Sequence, residues 1–401
     1  MTLKQSVESS DAASEGQFPR WPFFGPDEIA AVVAVLESGR VNYWTGPLGR
    51  QFEEEFARWC GARRAVALAN GTVALEAALR ALRIGPGDEV IVPARTFVAT
   101  ASCVLLQGAR PVFADVDRDS GNVTVESIER RITPLTRAVI PVHLGGWACD
   151  MPAIISLAQA KGLKVIEDCA QAHGARCGGK SVGTWGDVGA WSLCQDKIMT
   201  TGGEGGMITC DDDAVWKTIW SLKDHGKDYD ATHAESTQAG FRWLHHSVGT
   251  NWRMTEMQSA LGLAQLAKMH EWNHSRRRNA LRLANALRFA PQLRVPLPDD
   301  FASHAFYRLY AHVDVSSFRD GWSRDRIVQE VVARGVPCFS GSCSEVYREK
   351  AFRDLGYDEE LPVAKELGET SLAFLVHPTL NDSHMDRTAE VVLDVLADSV
   401  R

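Results

Sequence analysis

The chain has 401 residues, 45% of them hydrophobic, enough to bury a sizeable core in about two domains. With 51 acidic against 43 basic side chains, a net charge of −8 and a pI near 5.9, it offers no basic surface for nucleic acid. It shows neither a signal-peptide pattern nor an apolar run of ~18 residues, and its nine cysteines lack close pairing; the expectation is a soluble cytoplasmic protein with free thiols and no membrane partner.

Residues 1–17 are polar and rich in Ser, Ala and Glu, and are expected to form a disordered tail. A large domain is expected over 18–274 and a smaller α+β domain over 275–401. Between about residues 30 and 207, short apolar runs alternate with helical patterns, so the fold class is α/β, with a mainly parallel central sheet flanked by helices. Tyr43 and Trp44 come first among the candidate ligand contacts, as aromatic platforms or as interface packing.

Residues 65–68 read as a strand, and Asn70-Gly71-Thr72 opens an alanine- and leucine-rich helix. The free N–H groups and dipole at Gly71 and Thr72 suit an anion; the plainer reading is a helix cap by Thr72. Glu89-Val-Ile-Val-Pro is the next strand. Phe97 stands just past its end, where its face either stacks on a flat ring or packs in the core. His143, after another strand, is a further candidate contact.

Lys164-Val-Ile-Glu is a β-branched run, read as a buried strand of a parallel sheet. Asp168 ends that strand, at the edge where open α/β sheets place ligands. There its carboxylate would meet a protonated ring nitrogen, or cap a loop. Lys197 has Ser192 five residues before it and Thr200-Thr-Gly-Gly-Glu-Gly-Gly behind it. A partly desolvated lysine loses its proton near neutral pH, as Schiff-base chemistry requires, and Ser192 would donate to a phosphate oxygen; taken alone, the segment reads equally as a surface lysine in a glycine-rich hairpin. His225, in Asp224-His225-Gly226, is the last candidate contact, with interface packing as its alternative. Met257, Leu261, Ala264 and Met269 lie close to helical spacing and predict a helix over 255–272. In the small domain, residues 307–313 read as a strand and Arg324–Ala333 as a helix.

Two patterns mislead a motif scan. Gly174-Ala-Arg-Cys-Gly-Gly-Lys-Ser181 has P-loop spacing, but Val-Gly-Thr-Trp-Gly-Asp follows where a P-loop needs a helix, so a hairpin turn is expected. His270-Glu-Trp-Asn-His274 matches the zinc-peptidase pattern without a third ligand nearby, leaving a metallopeptidase as the remote alternative and no metal expected.

The ordered set Asn-Gly-Thr, Pro-x-x-Thr-Phe, Glu-Asp-x-Ala-Gln, Ser-x-x-x-x-Lys, Thr-Thr-Gly-Gly-Glu-Gly-Gly and Asn251-Trp-Arg-Met-Thr-Glu-Met-Gln resembles the DegT/StrS family. The resemblance implies a pyridoxal-phosphate aminotransferase of fold type I acting on keto sugars. By it, Lys197 bonds the cofactor and shuttles the proton, Asp168 partners the pyridine nitrogen, and Gln171 lies near the ring hydroxyl. Phe97 stacks on the ring, and Gly71, Thr72 and Ser192 hold the phosphate. Asn251 reaches the phosphate of a neighbouring subunit, implying a homodimer with shared sites, and Arg253 helps hold an anionic substrate group. The implied reaction moves an amino group from L-glutamate to a nucleotide-linked 4-keto-6-deoxyhexose, with C3 amination next. Alternatives within the cofactor class are a keto-cyclitol aminotransferase and an aminohydroxybenzoate synthase-like enzyme.

The sequence departs from commoner family wording in three places. Leu193-Cys-Gln-Asp replaces Phe-His-Pro-Thr before the lysine, and one more glycine follows it. Residues 335–347 replace a stretch that in many relatives carries a His-Tyr pair near the sugar, which leaves the substrate open.

Overall fold

The strands come out in chain order as β1 (Arg64–Leu68), β2 (Glu89–Pro93), β3 (Arg110–Ala114), β4 (Thr136–Val139), β5 (Lys164–Asp168), β6 (Arg176–Cys177), β7 (Lys180–Ser181), β8 (Val188–Ser192) and β9 (Gly206–Cys210). These are seen in a computed structural model that describes residues 18–235 and 240–400; the expectation for residues 1–17 lies outside the described residues. Seven of the strands form one sheet in the order β1-β9-β8-β5-β4-β2-β3. Only β9 runs against the rest, pairing antiparallel with both β1 and β8. β2, β8 and β9 are buried along their whole length, which explains why their sequences are near-continuous apolar runs rather than alternating ones. The mainly parallel α/β sheet is therefore as expected.

Parallel neighbours need crossovers, and here the helices Ala99–Leu106, between β2 and β3, and Met151–Lys161, between β4 and β5, supply them. Because β1, β2, β5 and β8 run the same way, their carboxyl ends share one edge of the sheet. That edge gathers the segments singled out above.

The helix expected over 255–272 is two helices, Glu256–Leu266 and Met269–Leu287. The first packs on the helices Pro26–Ser38 and Leu48–Cys60. The second must turn away so that Ala280, Leu283, Ala284 and Leu287 enter a second hydrophobic core. Lys268 holds the corner through Asp27 at 2.6 Å and Glu28 at 3.0 Å.

The second core lies beneath an antiparallel sheet of β10 (Leu293–Arg294), β12 (Leu309–Val313), β13 (Cys338–Phe339) and β14 (Ser371–Phe374), with β11 (Ala302–Ser303) paired instead to β6. Helices Arg324–Ala333 and Asp382–Ser399 cover it. The chain then returns: Tyr347, Phe352 and Tyr357 set their rings around Phe113 of β3 in the first core, at 5.7, 5.6 and 5.5 Å.

The P-loop lookalike folds as the β6–β7 hairpin, with Gly178 and Gly179 at positive φ in its turn. Nine free cysteines form no disulfide. Among the described residues, no helix is long and apolar enough to cross a membrane.

Candidate active site

Asp168 ends β5 and is buried. Its Oδ2 accepts from the Thr100 hydroxyl at 2.9 Å and its Oδ1 from the Ala170 N–H at 3.1 Å. Thr96 in turn bonds Thr100 at 2.8 Å. Burial pushes the Asp168 carboxyl above the ordinary value, against the pull of the Ala170 N–H, the Thr100 hydroxyl and the charge of Lys197. Asp168 and Lys197, 29 positions apart in sequence by their numbers, thus sit within electrostatic reach of each other.

Lys197 lies in the connection from β8 to β9, half-buried. That connection is pinned by Leu193 N–H on Gly205 O at 2.8 Å and Thr201 N–H on Leu193 O at 3.1 Å. The Lys197 Nζ stands 5.1 Å from the centre of the Tyr307 ring. Asp196 accepts from the Tyr307 hydroxyl. Burial works against the Asp196 carboxylate, yet Lys197, Tyr307, Cys194 and Arg308 outweigh it and hold its pKa below the usual range.

Ser192, the last residue of β8, meets the start of helix Gly71–Ala81. A Cβ on Gly71 would lie 2.6 Å from the Ser192 Cβ, and one on Gly206 would lie 2.3 Å from the Asn70 carbonyl oxygen. Only glycine permits this approach of strand to helix end. The helix is capped by Asn70, whose Oδ1 accepts from Val73 N–H at 2.9 Å, and not by Thr72. The first-turn N–H groups at Gly71 and Thr72 are thereby left for an anion. Phe97, just past β2, is 65% exposed, so it is not a core residue. Gln171 accepts from Gly145 N–H at 2.7 Å and donates to Ser342 at 3.4 Å.

A model of the DegT/DnrJ/EryC1/StrS aminotransferase family matches residues 23–393. The chain belongs to this family. It is a pyridoxal-phosphate-dependent aminotransferase. Among solved structures, the aminotransferase from Psychrobacter cryohalolentis is 52% identical and superposes with a TM-score of 0.93, covering 95% of this chain and 99% of that one. The spore coat polysaccharide biosynthesis protein SpsC of Bacillus subtilis is 35% identical over 387 residues, 94% of this chain and 96% of its own. The UDP-N-acetyl-3-dehydro-alpha-D-glucosamine 3-aminotransferase of Acidithiobacillus ferrooxidans is 37% identical over 352 residues, 88% of this chain and 89% of its own.

The residues of this aminotransferase fit the cofactor. Asp168 is a buried carboxylate served by one hydroxyl and one N–H, with no ion pair among the described residues; a pyridinium N–H would supply its missing cation. The close contact of Gly71 with Ser192 brings a hydroxyl beside the open helix end, where a phosphate would meet both, and the Phe97 ring is exposed just past β2.

The candidate substrate contacts fare differently. His143 is fully buried: its Nδ1 accepts from Cys149 N–H at 3.0 Å, so Nε2 carries the proton and donates to Glu167 at 3.1 Å. It has no edge to offer a substrate. Glu167 also accepts from the N–H groups of Gly183, Trp185 and Gly186, so the buried group of His143, Glu167 and Cys169 is a closed hydrogen-bond cluster rather than a metal site. Tyr43 is buried as well, its hydroxyl on Glu53 at 3.0 Å. Trp44 and Arg253 meet on Asp224, each at 2.6 Å, and Lys227 reaches the same carboxylate at 3.3 Å, so two cations share one acid. His225 is exposed with φ 57, and Asn251 is exposed beside it, bridged to Asp224. His270, Glu271 and His274 are exposed, and among the described residues no potential metal-binding group of three includes them.

Sequence reasoning missed Thr100, Tyr307, Ser342 and Trp21, whose Nε1–H donates to the Lys197 carbonyl at 2.8 Å. Only Thr100 left a signal, as the second of two threonines four apart at a helix start.

Asp168→Asn separates stability from chemistry. Because the folded protein holds the Asp168 proton more tightly than the unfolded chain, its ionisation costs stability as pH rises from the ordinary aspartate range through the raised folded value. The cofactor-free Asn variant should therefore be at least as stable as the parent at pH 7, with the difference vanishing below about pH 4. Turnover should fall about 10²–10³-fold, the loss of one preorganised electrostatic partner. Thermal unfolding across pH and steady-state rates measure both.

Proposed function

We propose that this aminotransferase transfers the amino group of L-glutamate to a nucleotide-linked keto sugar, a 4-keto-6-deoxyhexose, giving an amino sugar for polysaccharide or natural-product assembly. The reading rests on the meeting of Asp168 and Lys197 at one strand edge, beside the open helix end at Gly71 and Ser192.

When bound, pyridoxal phosphate supplies an electron sink and a carbonyl that carries the amino group between two substrates. Lys197 would hold the cofactor through Nζ and would move a proton to and from the donor Cα. The Tyr307 ring beneath Nζ limits where that amine travels. Asp168 would hold a proton on the ring nitrogen, and Thr100 keeps its carboxylate aimed. Phe97 would cover a ring face, Gln171 would lie by the ring hydroxyl, and Gly71, Thr72 and Ser192 would bind the phosphate.

Asn251 reaches the phosphate of a second copy, so the working unit is a homodimer with shared sites. Phe241, Trp243 and Val248, 76%, 85% and 87% exposed just before Asn251, support a covered surface there. Trp44, His225 and Arg253 belong to the same surface and are the substrate contacts of this reading. The free cysteines support a reducing cytoplasm as its location.

Amination at C3 is the second reading, favoured by the name of the Acidithiobacillus relative. The test is an amino-transfer screen of 3-keto and 4-keto nucleotide sugars with glutamate and with glutamine. Product from a 4-keto-6-deoxyhexose supports the first reading, and product only from a 3-keto sugar the second. Failure on every sugar, with turnover of scyllo-inosose, would replace both by a cyclitol acceptor.

A further inference from the structure

The residues just before the first helix are tied to three distant parts of the chain. Phe18 sets its ring 5.3 Å from His384, and the Arg20 carbonyl accepts from Thr379 at 3.4 Å. Trp21 lies 5.7 Å from the His377 ring, stacked, and 5.1 Å from Trp272, edge-on. His377 and His384 belong to the segment that carries the second core, whereas Lys197 stands on the first. Trp21 nevertheless donates its Nε1–H to the Lys197 carbonyl at 2.8 Å, across 176 positions of sequence.

Arg276 supports this arrangement from below. It is buried, its Nε and Nη2 have no hydrogen-bond partner, and no carboxylate pairs with it among the described residues. The Trp21 ring lies 5.0 Å from its guanidinium carbon and supplies a π face to the charge. Its Nη1 donates to the Phe306 carbonyl at 3.4 Å, one residue before Tyr307, whose ring lies under the Lys197 Nζ. Lys197 is thus held at its carbonyl by Trp21 and has Tyr307 against its Nζ, and Arg276 touches Trp21 and the carbonyl just before Tyr307.

We propose that Trp21 is a positioning residue for Lys197: its indole N–H fixes the lysine backbone and couples it to the helix corner and the second core. The proposal rests on Lys197 being the cofactor-bearing lysine. Phenylalanine keeps an aromatic ring against Arg276 and removes the donor together with the five-membered ring that bears it; alanine removes the aromatic face as well.

The experiment compares parent, Trp21→Phe and Trp21→Ala by amide hydrogen exchange of the cofactor-free protein and by the glutamate half-reaction of the holoenzyme. In Trp21→Phe, the peptide covering 193–201 should exchange about 2- to 10-fold faster, the factor that one hydrogen bond commands, while the peptide covering 71–81 is unchanged. The rate of the half-reaction should fall by a similar factor with the KM for glutamate unchanged, and Trp21→Ala should exceed Trp21→Phe in both readouts. Exchange of 193–201 unaltered in Trp21→Phe, or raised equally throughout the chain, would overturn the proposal. Borohydride reduction of the holoenzyme followed by peptide mapping tests the underlying reading separately: cofactor fixed elsewhere than Lys197 would remove the lysine's role and leave the exchange result standing.

Discussion

Lys197→Ala should lose turnover by at least ~10²–10⁴-fold, the usual worth of a positioned proton-transfer group. The reason is geometric as well as chemical. The Lys197 charge is felt by Asp168 at the carboxyl end of the parallel strands, and no second lysine shares that connection between β8 and β9. Alanine removes both the covalent hold on the cofactor and the group that moves the donor's Cα proton. Folding should be spared, because Lys197 is half-buried and forms no salt bridge among the described residues. Near-normal transamination by the alanine variant, with the cofactor still fixed by borohydride, would refute its assignment.

Glu53→Ala should be the most damaging single change to stability, about 3–5 kcal/mol. Lys223 is completely buried, and its Nζ bonds Glu53 at 2.5 Å. The same carboxylate accepts from Ala67 N–H at 2.9 Å and from the Tyr43 hydroxyl at 3.0 Å. Removing it strands an amine, an amide and a hydroxyl together in the core beside β1. Burial already lowers the Lys223 pKa, with Glu53 pulling the other way. Without Glu53 the folded protein sheds that proton more readily than the unfolded chain, so the loss is greatest at acid pH and shrinks as pH rises toward the ordinary lysine value. Urea unfolding of the cofactor-free protein at pH 6 and pH 9 measures it. Adding Lys223→Met should restore much of the stability, since an apolar replacement of a buried pair costs little; a double variant as unstable as the single one would mean that Tyr43 and Ala67 carry the effect.

Much of the candidate site was legible because its signals are local. Lys164-Val-Ile-Glu-Asp168 announces a buried strand and places its acid at the end, and β5 is that strand. The glycines around Lys197 and at Gly71 mark backbone approaches that only glycine tolerates, and the contacts with Ser192 and Asn70 are those approaches. The misreadings have the opposite character. His143 and Tyr43 look like free polar groups in sequence, but their partners Cys149, Glu167 and Glu53 are identified only once the chain has folded. The corner between Leu266 and Met269 was invisible because the apolar spacing runs through it while the helix changes cores.

From its residues alone the chain determined its α/β sheet, the glycine-lined helix end, and the acid and amine at Asp168 and Lys197, since strand period, turn chemistry and helix capping act over a few positions. Tertiary structure alone decided which groups stay available for chemistry. Burial took His143 and Tyr43 out of reach, and Trp21 arrived at Lys197 from 176 positions away. Desolvation and hydrogen-bond partnership are properties of three-dimensional neighbours, and no pattern along the chain encodes them.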